Sequence, residues 1–405
     1  MKKITKILTV LILTLSFSLQ LSAQKTIQGE LIVQITSDVK PDQIKAEFND
    51  IGLNFKKQIS RSLNIWLCTF NKSKVDSSTA LKTVQQHKNV KIAQYNHVVH
   101  LNSTTPNDPF YSSQYGMSKI KAPEAWDITT GGNTILGDNI VVAVLDGGFD
   151  IEHEDINYWI NVNEIPDNGI DDDNNGYIDD ITGWNCYDDN GVITSADHGT
   201  HVAGIVGAIG NNNIGVSGVN WGVDVLPIQA SSSDEATVVA GYSYVLEMRE
   251  LYNQTNGAQG AFIVATNASF STHGGDVNDY PIWCDIYNAL GNVGVLNVNA
   301  PWNNGGELGE DFHDIPGECS SQYLIVVSNT NNNDELHNSA PWSKTYIDIV
   351  APGTDIISTI PNNEYDEMTG TSMAAPHVAG AIALIYSAAC EEMMLNYQTN
   401  PSQVA

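Results

Sequence analysis

Five short apolar runs, at residues 140–145, 223–228, 261–268, 293–298 and 323–328, alternate with stretches of helical pattern. Runs this short and this uniformly apolar are strands covered on both faces. Strands that alternate with helices along a chain assemble into a mostly parallel sheet with helices packed on either side. The predicted fold class of this part is α/β, a doubly wound, mostly parallel sheet. Ligand sites in such sheets lie beyond the carboxyl ends of the strands, and Asp146 follows the run at 140–145.

The preceding part has a different texture. Strands are expected at 30–35, 63–70 and 90–95, helices at 41–51 and 76–87, with room for a further strand near 55–58. That order suggests a small α+β, ferredoxin-like unit. The polar, proline-containing stretch from Leu101 to Pro109 reads as a linker. Before both, Lys2, Lys3 and Lys6 precede an apolar run at 7–19 and then Leu21-Ser22-Ala23. This is the pattern of a secretory signal cleaved after Ala23; the run is shorter than the roughly 20 apolar residues of a permanent span. The expected layout is signal 1–23, small domain 24–100, linker with a processing site 101–112, and main domain 113–405. Residues 400–405 read as a cap and first helical turn, and the resemblance described below, whose family continues with further helix, implies a main domain truncated at its C-terminus. Forty-seven acidic against 18 basic residues, a net charge of −29, argue against nucleic acid or an anionic membrane as partner and fit a soluble exported protein. Five cysteines are too few and too scattered for a disulfide scaffold or a thiolate zinc site.

Three motifs carry chemistry. In Val144-Leu145-Asp146-Gly147-Gly148 a strand delivers a carboxylate where two glycines let the backbone turn away. In Asp197-His198-Gly199-Thr200-His201-Val202-Ala203-Gly204 a histidine enters an apolar helix. In Gly370-Thr371-Ser372-Met373-Ala374-Ala375-Pro376-His377 a serine stands at a helix start, where its backbone N–H faces outward and the helix dipole favours negative charge. Together they offer a nucleophile, a base and a group to orient the base. Singly each has a plainer reading: turn chemistry for Asp-Gly, a metal shared by His198 and His201, an ordinary N-cap for Thr-Ser.

The three motifs, in the order Asp146, His198, Ser372, resemble those of the subtilases, the subtilisin-like serine proteases, from about Asn107 onward. Tyr115 to Pro123 is similar to the start of a mature subtilisin, and Val350-Ala351-Pro352-Gly353 to the loop before the family's serine. The resemblance implies a serine endopeptidase that forms an acyl-enzyme, made as an inhibited precursor whose first unit is a propeptide, with the junction between Val98 and Phe110. It implies protein or peptide substrates, the chain's own propeptide as a partner, a monomer, and a secreted or cell-surface location. The side-chain oxyanion donor is placed by count on Asn303, with Asn304 and Asn299 as rivals. Ser269, Phe270 and Ser271 correspond to the edge that pairs with an extended peptide. Ala300 and Trp302 line the primary specificity pocket, where Pro301 and Trp302 replace small residues. Cys284 and Cys319, in the same half of the domain, are the favoured disulfide, with buried free thiols as the alternative.

Structural Ca2+ is expected at two places. Residues 168–180 set oxygen side chains at alternate positions around a glycine turn. Asp171, Asp173, Asn175 and the Tyr177 carbonyl are the expected ligands, closed by Asp179 or Asp180. The second is similar to a subtilisin calcium loop: Asn212 with the Ile214 and Val216 carbonyls, joined by Asp155. Two rival functions remain: a calcium-stabilised binding module on a decayed protease fold, suggested by the altered stretch Ala300 to Trp302, and a metallohydrolase.

Overall fold

The computed structural model describes residues 26–97, 104–231 and 234–404, and the chain divides into two compact units between Asn102 and Ser103. The expected signal, residues 1–23, lies outside the described residues.

The first unit runs β1 (Thr26–Ile35), α1 (Pro41–Ile44), β2 (Asn54–Ser60), β3 (Ile65–Thr69), α2 (Ser77–Gln85) and β4 (Val90–His97). Its four-stranded sheet has the order β2-β3-β1-β4 and is antiparallel throughout, the split βαβ arrangement of a ferredoxin-like fold. Leu31, Val33 and Ile35 alternate inward along β1 and pack on Ile44, Phe48 and Val84. The helix expected at 41–51 is shorter, α1 passing directly into a 3-10 turn at Lys45–Phe48. β3 starts at Ile65 rather than 63 because Asn64 turns left-handed, φ 50°, and its side chain bonds the Thr36 and Val39 carbonyls.

The second unit opens with α3 (Tyr115–Lys119) and α4 (Ala122–Trp126), then β5 (Val141–Asp146), β6 (Trp184–Asn185), α5 (Asp197–Gly207), β7 (Asp224–Gln229), α6 (Glu235–Thr255) and β8 (Ile263–Ala268). It continues with β9 (Thr272–His273), α7 (Pro281–Asn292), β10 (Leu296–Asn299), β11 (Asp314–Ile315), β12 (Leu324–Thr330) and β13 (Ile349–Pro352). A hairpin, β14 (Ile356–Ile360) and β15 (Glu364–Met368), leads into α8 (Thr371–Ala388), α9 (Glu391–Thr399) and α10 (Pro401–Val404). The main sheet has seven strands in the order β13-β12-β10-β8-β5-β7-β6, each neighbouring pair parallel. The chain builds to one side of β5 and then to the other, so the strand order reverses there, where ligand crevices open.

Alternation along the central strands sorts the core. Val142 and Val144 join Val202, Val206, Met373 and Ala383 under α5 and α8. Val141, Ala143 and Leu145 join Val245, Met248, Tyr287 and Leu290 under α6 and α7. All six residues of β5 are buried, as a strand covered on both faces requires. The two short antiparallel pairs, β9 with β11 and β14 with β15, have no apolar run to announce them.

Residues 104–112, expected as linker, are bound to the second unit. Asp127 accepts from the Thr104 backbone and hydroxyl, Asp108 accepts from the backbone N–H groups of Asn211 and Asn212, and Phe110 N–H donates to the Gly215 carbonyl. Cys284 of α7 and Cys319 after β11 form a disulfide with their Cα atoms 5.2 Å apart, while Cys68, Cys186 and Cys390 are thiols. The bond closes a loop with a sequence separation of 35. Replacing both by serine is expected to cost about 2–4 kcal/mol, read as a lower urea midpoint; an unchanged midpoint would contradict it.

Candidate active site

The last residue of β5 and the first turn of α5 meet closely. A Cβ on Gly199 would stand 2.2 Å from the Gly148 carbonyl oxygen and 3.0 Å from Asp146 Cβ, so glycine alone lets the helix start here. His198 is thereby set over Asp146, with Nδ1 2.8 Å from Oδ2 and 3.0 Å from Oδ1. The Asp146 side chain is 5 % exposed and the His198 side chain 43 %, so the pair has a buried acid and an open imidazole. Burial works against a charge on His198, but the hydrogen bond to Asp146 and its negative charge outweigh it, and the imidazole pKa stands above its ordinary 6.5.

Ser372 reaches the same edge by another route. Leu145 of β5 pairs with Ala268 of β8, so the next residues, Asp146 at the end of β5 and Ser269 just past β8, stand side by side at the edge of the sheet. Ser269 binds the start of α8 twice: its hydroxyl donates to the Ser372 carbonyl at 2.9 Å and its carbonyl accepts from Ser372 Oγ at 3.2 Å. Among the described residues no hydrogen bond joins Ser372 to His198; the hydroxyl is turned to Ser269 instead. His201 does not share a ligand with His198, because its buried Nε2 faces the carbonyls of Ile356 and Asp366 at 2.9 and 3.1 Å. Burial lowers its pKa to about 4.

Asn303 lies against the start of α8. Its Oδ1 accepts the Thr371 N–H at 2.9 Å, and the Thr371 hydroxyl donates to the Pro301 carbonyl at 2.6 Å. Of its rivals, Asn299 is fully buried and donates to the carbonyls of Ala268 and Phe270, while the Asn304 backbone N–H closes a turn on the Trp302 carbonyl. Ala300 is buried, whereas the Trp302 indole is 40 % exposed and stacks on His273 with ring centres 4.1 Å apart. Phe270 and Ser271, with Tyr280, Trp283 and Val238, line an open cavity of about 410 Å³.

Residues 137–400, which hold all four of these polar side chains, match the model of the subtilase family. The chain belongs to the subtilase family. It is 29 % identical over 372 residues to Subtilisin-like protease 1 of Plasmodium berghei, covering 86 % of this chain and 56 % of that protein. It is 30 % identical over 293 residues to thermitase of Thermoactinomyces vulgaris, covering 70 % of this chain and 86 % of that one. The chain thus spans about half the length of the Plasmodium relatives that it matches. A solved protease structure from Pseudoalteromonas arctica PAMC 21717 shares the fold at a TM-score of 0.53 and 23 % identity, covering 74 % of this chain and 90 % of the other.

The first acidic loop of this subtilase differs from expectation. Asp171 and Asp173 come together with Glu164, their carboxylate oxygens within 4.8 Å of one another. Glu164, outside the alternating pattern, also accepts the N–H groups of Asp172, Asp173 and Asp179. Asp180 does not close this cluster: it turns into the core and accepts from Asn161, Asn175 and Tyr244, and burial pushes its pKa up to about 6. Asp179 instead accepts the N–H groups of Asn168 and Gly169, and the Tyr177 hydroxyl donates to Glu247. Asn175 donates to both Asp173 and Asp180.

At the second loop Asp155 accepts from Asn212 Nδ2 at 2.8 Å and Val216 N–H at 3.1 Å, and Ile214 N–H donates to Asn212 Oδ1. Asp108 joins them by binding Asn211 and Asn212, a partner that a polar linker did not signal. Among the described residues no lysine or arginine forms an ion pair with Glu164, Asp171, Asp173, Asp108 or Asp155. Uncompensated carboxylates and amide oxygens are the donor set that a hard cation takes.

His198 is expected to titrate above pH 6.5 in an NMR titration, and Asp146→Asn, which keeps the burial and removes the charge, to bring it below wild type. The folded-state value lies above the unfolded one, so the pair's stabilisation is complete below about pH 6.5 and is lost as pH rises through the folded-state pKa. An Asp146→Asn imidazole with the wild-type pKa would contradict this.

Proposed function

We propose that this subtilase is a serine endopeptidase, exported through its N-terminal signal and made as a precursor held inactive by its first unit. The observation that carries the reading is the Asp146 carboxylate spanning Nδ1 of His198 beside the helix start that bears Ser372. Asp146 holds the Nδ1–H tautomer, which leaves the lone pair on Nε2 as the general base. A staggered rotation of Ser372 brings its hydroxyl from the Ser269 carbonyl to that base, a tightening usual when substrate binds.

Ser372 Oγ then attacks the scissile carbonyl as His198 takes its proton. Negative charge collects on the carbonyl oxygen, where two donors are available. One is the N–H of Ser372, second residue of α8, whose first-turn N–H groups lack intrahelical acceptors. The other is Nδ2 of Asn303, aimed by the Oδ1 bond to Thr371. His198 passes its proton to the leaving amine, and water, activated by the same base, releases the acyl group. Protein or peptide substrates are expected to lie extended along 269–271 by strand addition.

A fluorophosphonate probe is expected to label Ser372, and Ser372→Ala to abolish casein hydrolysis and precursor processing. Peptide binding without labelling or turnover would favour a binding module instead. Asn303→Ala is expected to lower kcat by about 10²–10³ with little change in KM; an unchanged kcat would remove Asn303 from the oxyanion site.

Calcium fits both acidic loops as a structural ion: Glu164, Asp171 and Asp173 would hold one, and Asp155, Asp108 and Asn212 another. Its contribution is to neutralise clustered carboxylates and pin the loops. Chelation is expected to lower the melting temperature, with about 2.7 kcal/mol at stake when calcium stands at 100 times its Kd. In Asp171→Asn with Asp173→Asn the calcium response should shrink; a full response there would place the ion elsewhere.

A further inference from the structure

Asn267 is a fully buried amide that the mechanism above does not use. It stands on β8 between Val144 of β5 and Val298 of β10, its register partners. Side chains at matched positions of parallel neighbours share a face, and both valines belong to the apolar layer under α5 and α8. An amide in that layer has lost its water and is costly unless it is bonded. Its Nδ2 donates to the Ser269 hydroxyl at 3.0 Å, whereas its buried Oδ1 has no hydrogen-bond partner among the described residues. One half of the amide is satisfied and the other is not. The satisfied half leads to Ser372.

The direction of each bond follows from the helix. A carbonyl inside an α-helix accepts the N–H four residues on, but for Ser372 that residue is Pro376, which has none. The Ser269 hydroxyl takes the place of the missing donor and reaches the Ser372 carbonyl at 2.9 Å. A hydroxyl has one proton to give. Having given it to Ser372, Ser269 Oγ can only accept from Asn267, so the amide must present its NH2 there. Asn267 Nδ2, Ser269 Oγ and the Ser372 carbonyl therefore form a chain with a fixed polarity. Ser269 meets the same residue a second time, its own carbonyl accepting from the Ser372 hydroxyl at 3.2 Å.

We infer that Asn267 is a positioning residue for the nucleophile: by fixing the Ser269 hydroxyl it holds the Ser372 carbonyl, and so the backbone of the residue that supplies both the attacking oxygen and an oxyanion N–H. The inference rests on the endopeptidase reading and deepens it. The tie acts on the main chain and leaves Ser372 Oγ free to turn from the Ser269 carbonyl to Nε2 of His198. Without the Asn267 donor the Ser269 hydroxyl is free to rotate, and the Ser372 carbonyl loses the one donor that compensates for Pro376. The first turn of α8 then moves relative to His198, and a misplacement of about 1 Å is enough to slow the attack severely.

The test is a double-mutant cycle on the full chain, with Asn267→Leu, which removes the donor, and Ser269→Ala, which removes the hydroxyl and keeps the carbonyl. Each single variant is expected to lower kcat on a peptide substrate by about 10-fold, to leave KM within about 2-fold of wild type, and to slow fluorophosphonate labelling of Ser372 in parallel. In the double variant the loss should be no greater than in either single one, because Asn267 acts through Ser269. Losses that multiply, an unchanged kcat in either single variant, or a loss confined to KM overturns the inference. A melting temperature that falls in Asn267→Leu while kcat holds makes Asn267 a structural residue only. Should Asn267→Leu fail to fold, Ser269→Ala still decides: a wild-type kcat there means that the chain of bonds has no effect on Ser372. Variants without effect beside a labelled, active wild type refute this inference and leave the endopeptidase reading standing. A wild type that neither labels nor turns over refutes that reading, and the inference with it.

Discussion

The register between β5 and β8 is the constraint from which the site follows. The two strands are parallel neighbours with Leu145 opposite Ala268, so Asp146, the last residue of β5, and Ser269, the first after β8, stand side by side. Shifting that pairing by one residue would invert the faces of a strand packed on both sides, with Val142 and Val144 under one helical layer and Val141, Ala143 and Leu145 under the other. The register slips by one residue between Val141 and Val142 and then runs unbroken to Leu145, and this last stretch sets the separation between the residue that holds His198 and the residue that holds Ser372. Helices α5 and α8 pack on the same face, which brings their N-termini to this edge. Gly199 removes the last obstacle by letting α5 start against the Gly148 carbonyl.

Around this rigid edge the segments that follow β8 and β10 are held by side chains rather than by strand pairing. Asn299 fastens the carbonyls of Ala268 and Phe270, Thr371 fastens Pro301, and Asp314 fastens Ser271 and Trp302. Segments held by such ties keep their backbone course. Trp302 illustrates this: its backbone is anchored to Asp314, while its ring stacks on His273.

The two units of the chain differ sharply in charge, since nearly all the acidic residues and few of the basic ones fall after residue 102. Acidic groups in the second unit are seldom neutralised by side-chain cations. They are met by backbone N–H groups and amides instead, as at Asp108, Glu164 and Asp179. Such contacts position a carboxylate but leave its charge in place, as in the cluster of Glu164, Asp171 and Asp173.

The sequence by itself determined the α/β class, the place of each long buried strand, and the residue types of Asp146, His198 and Ser372, because periodicity and short motifs are local properties. It also indicated Asn303 by count, although only the Thr371 contact separates it from Asn299 and Asn304. Other features depended on groups distant in the chain. Glu164 joins Asp171 and Asp173 from outside their loop, Asp108 reaches the 211–212 turn from a stretch that looked like linker, and Asp180 turns to Tyr244, 64 residues on. Asp314 carried no motif at all. Its side chain joins the segments that follow β8 and β10, a contact that exists only once the chain has folded.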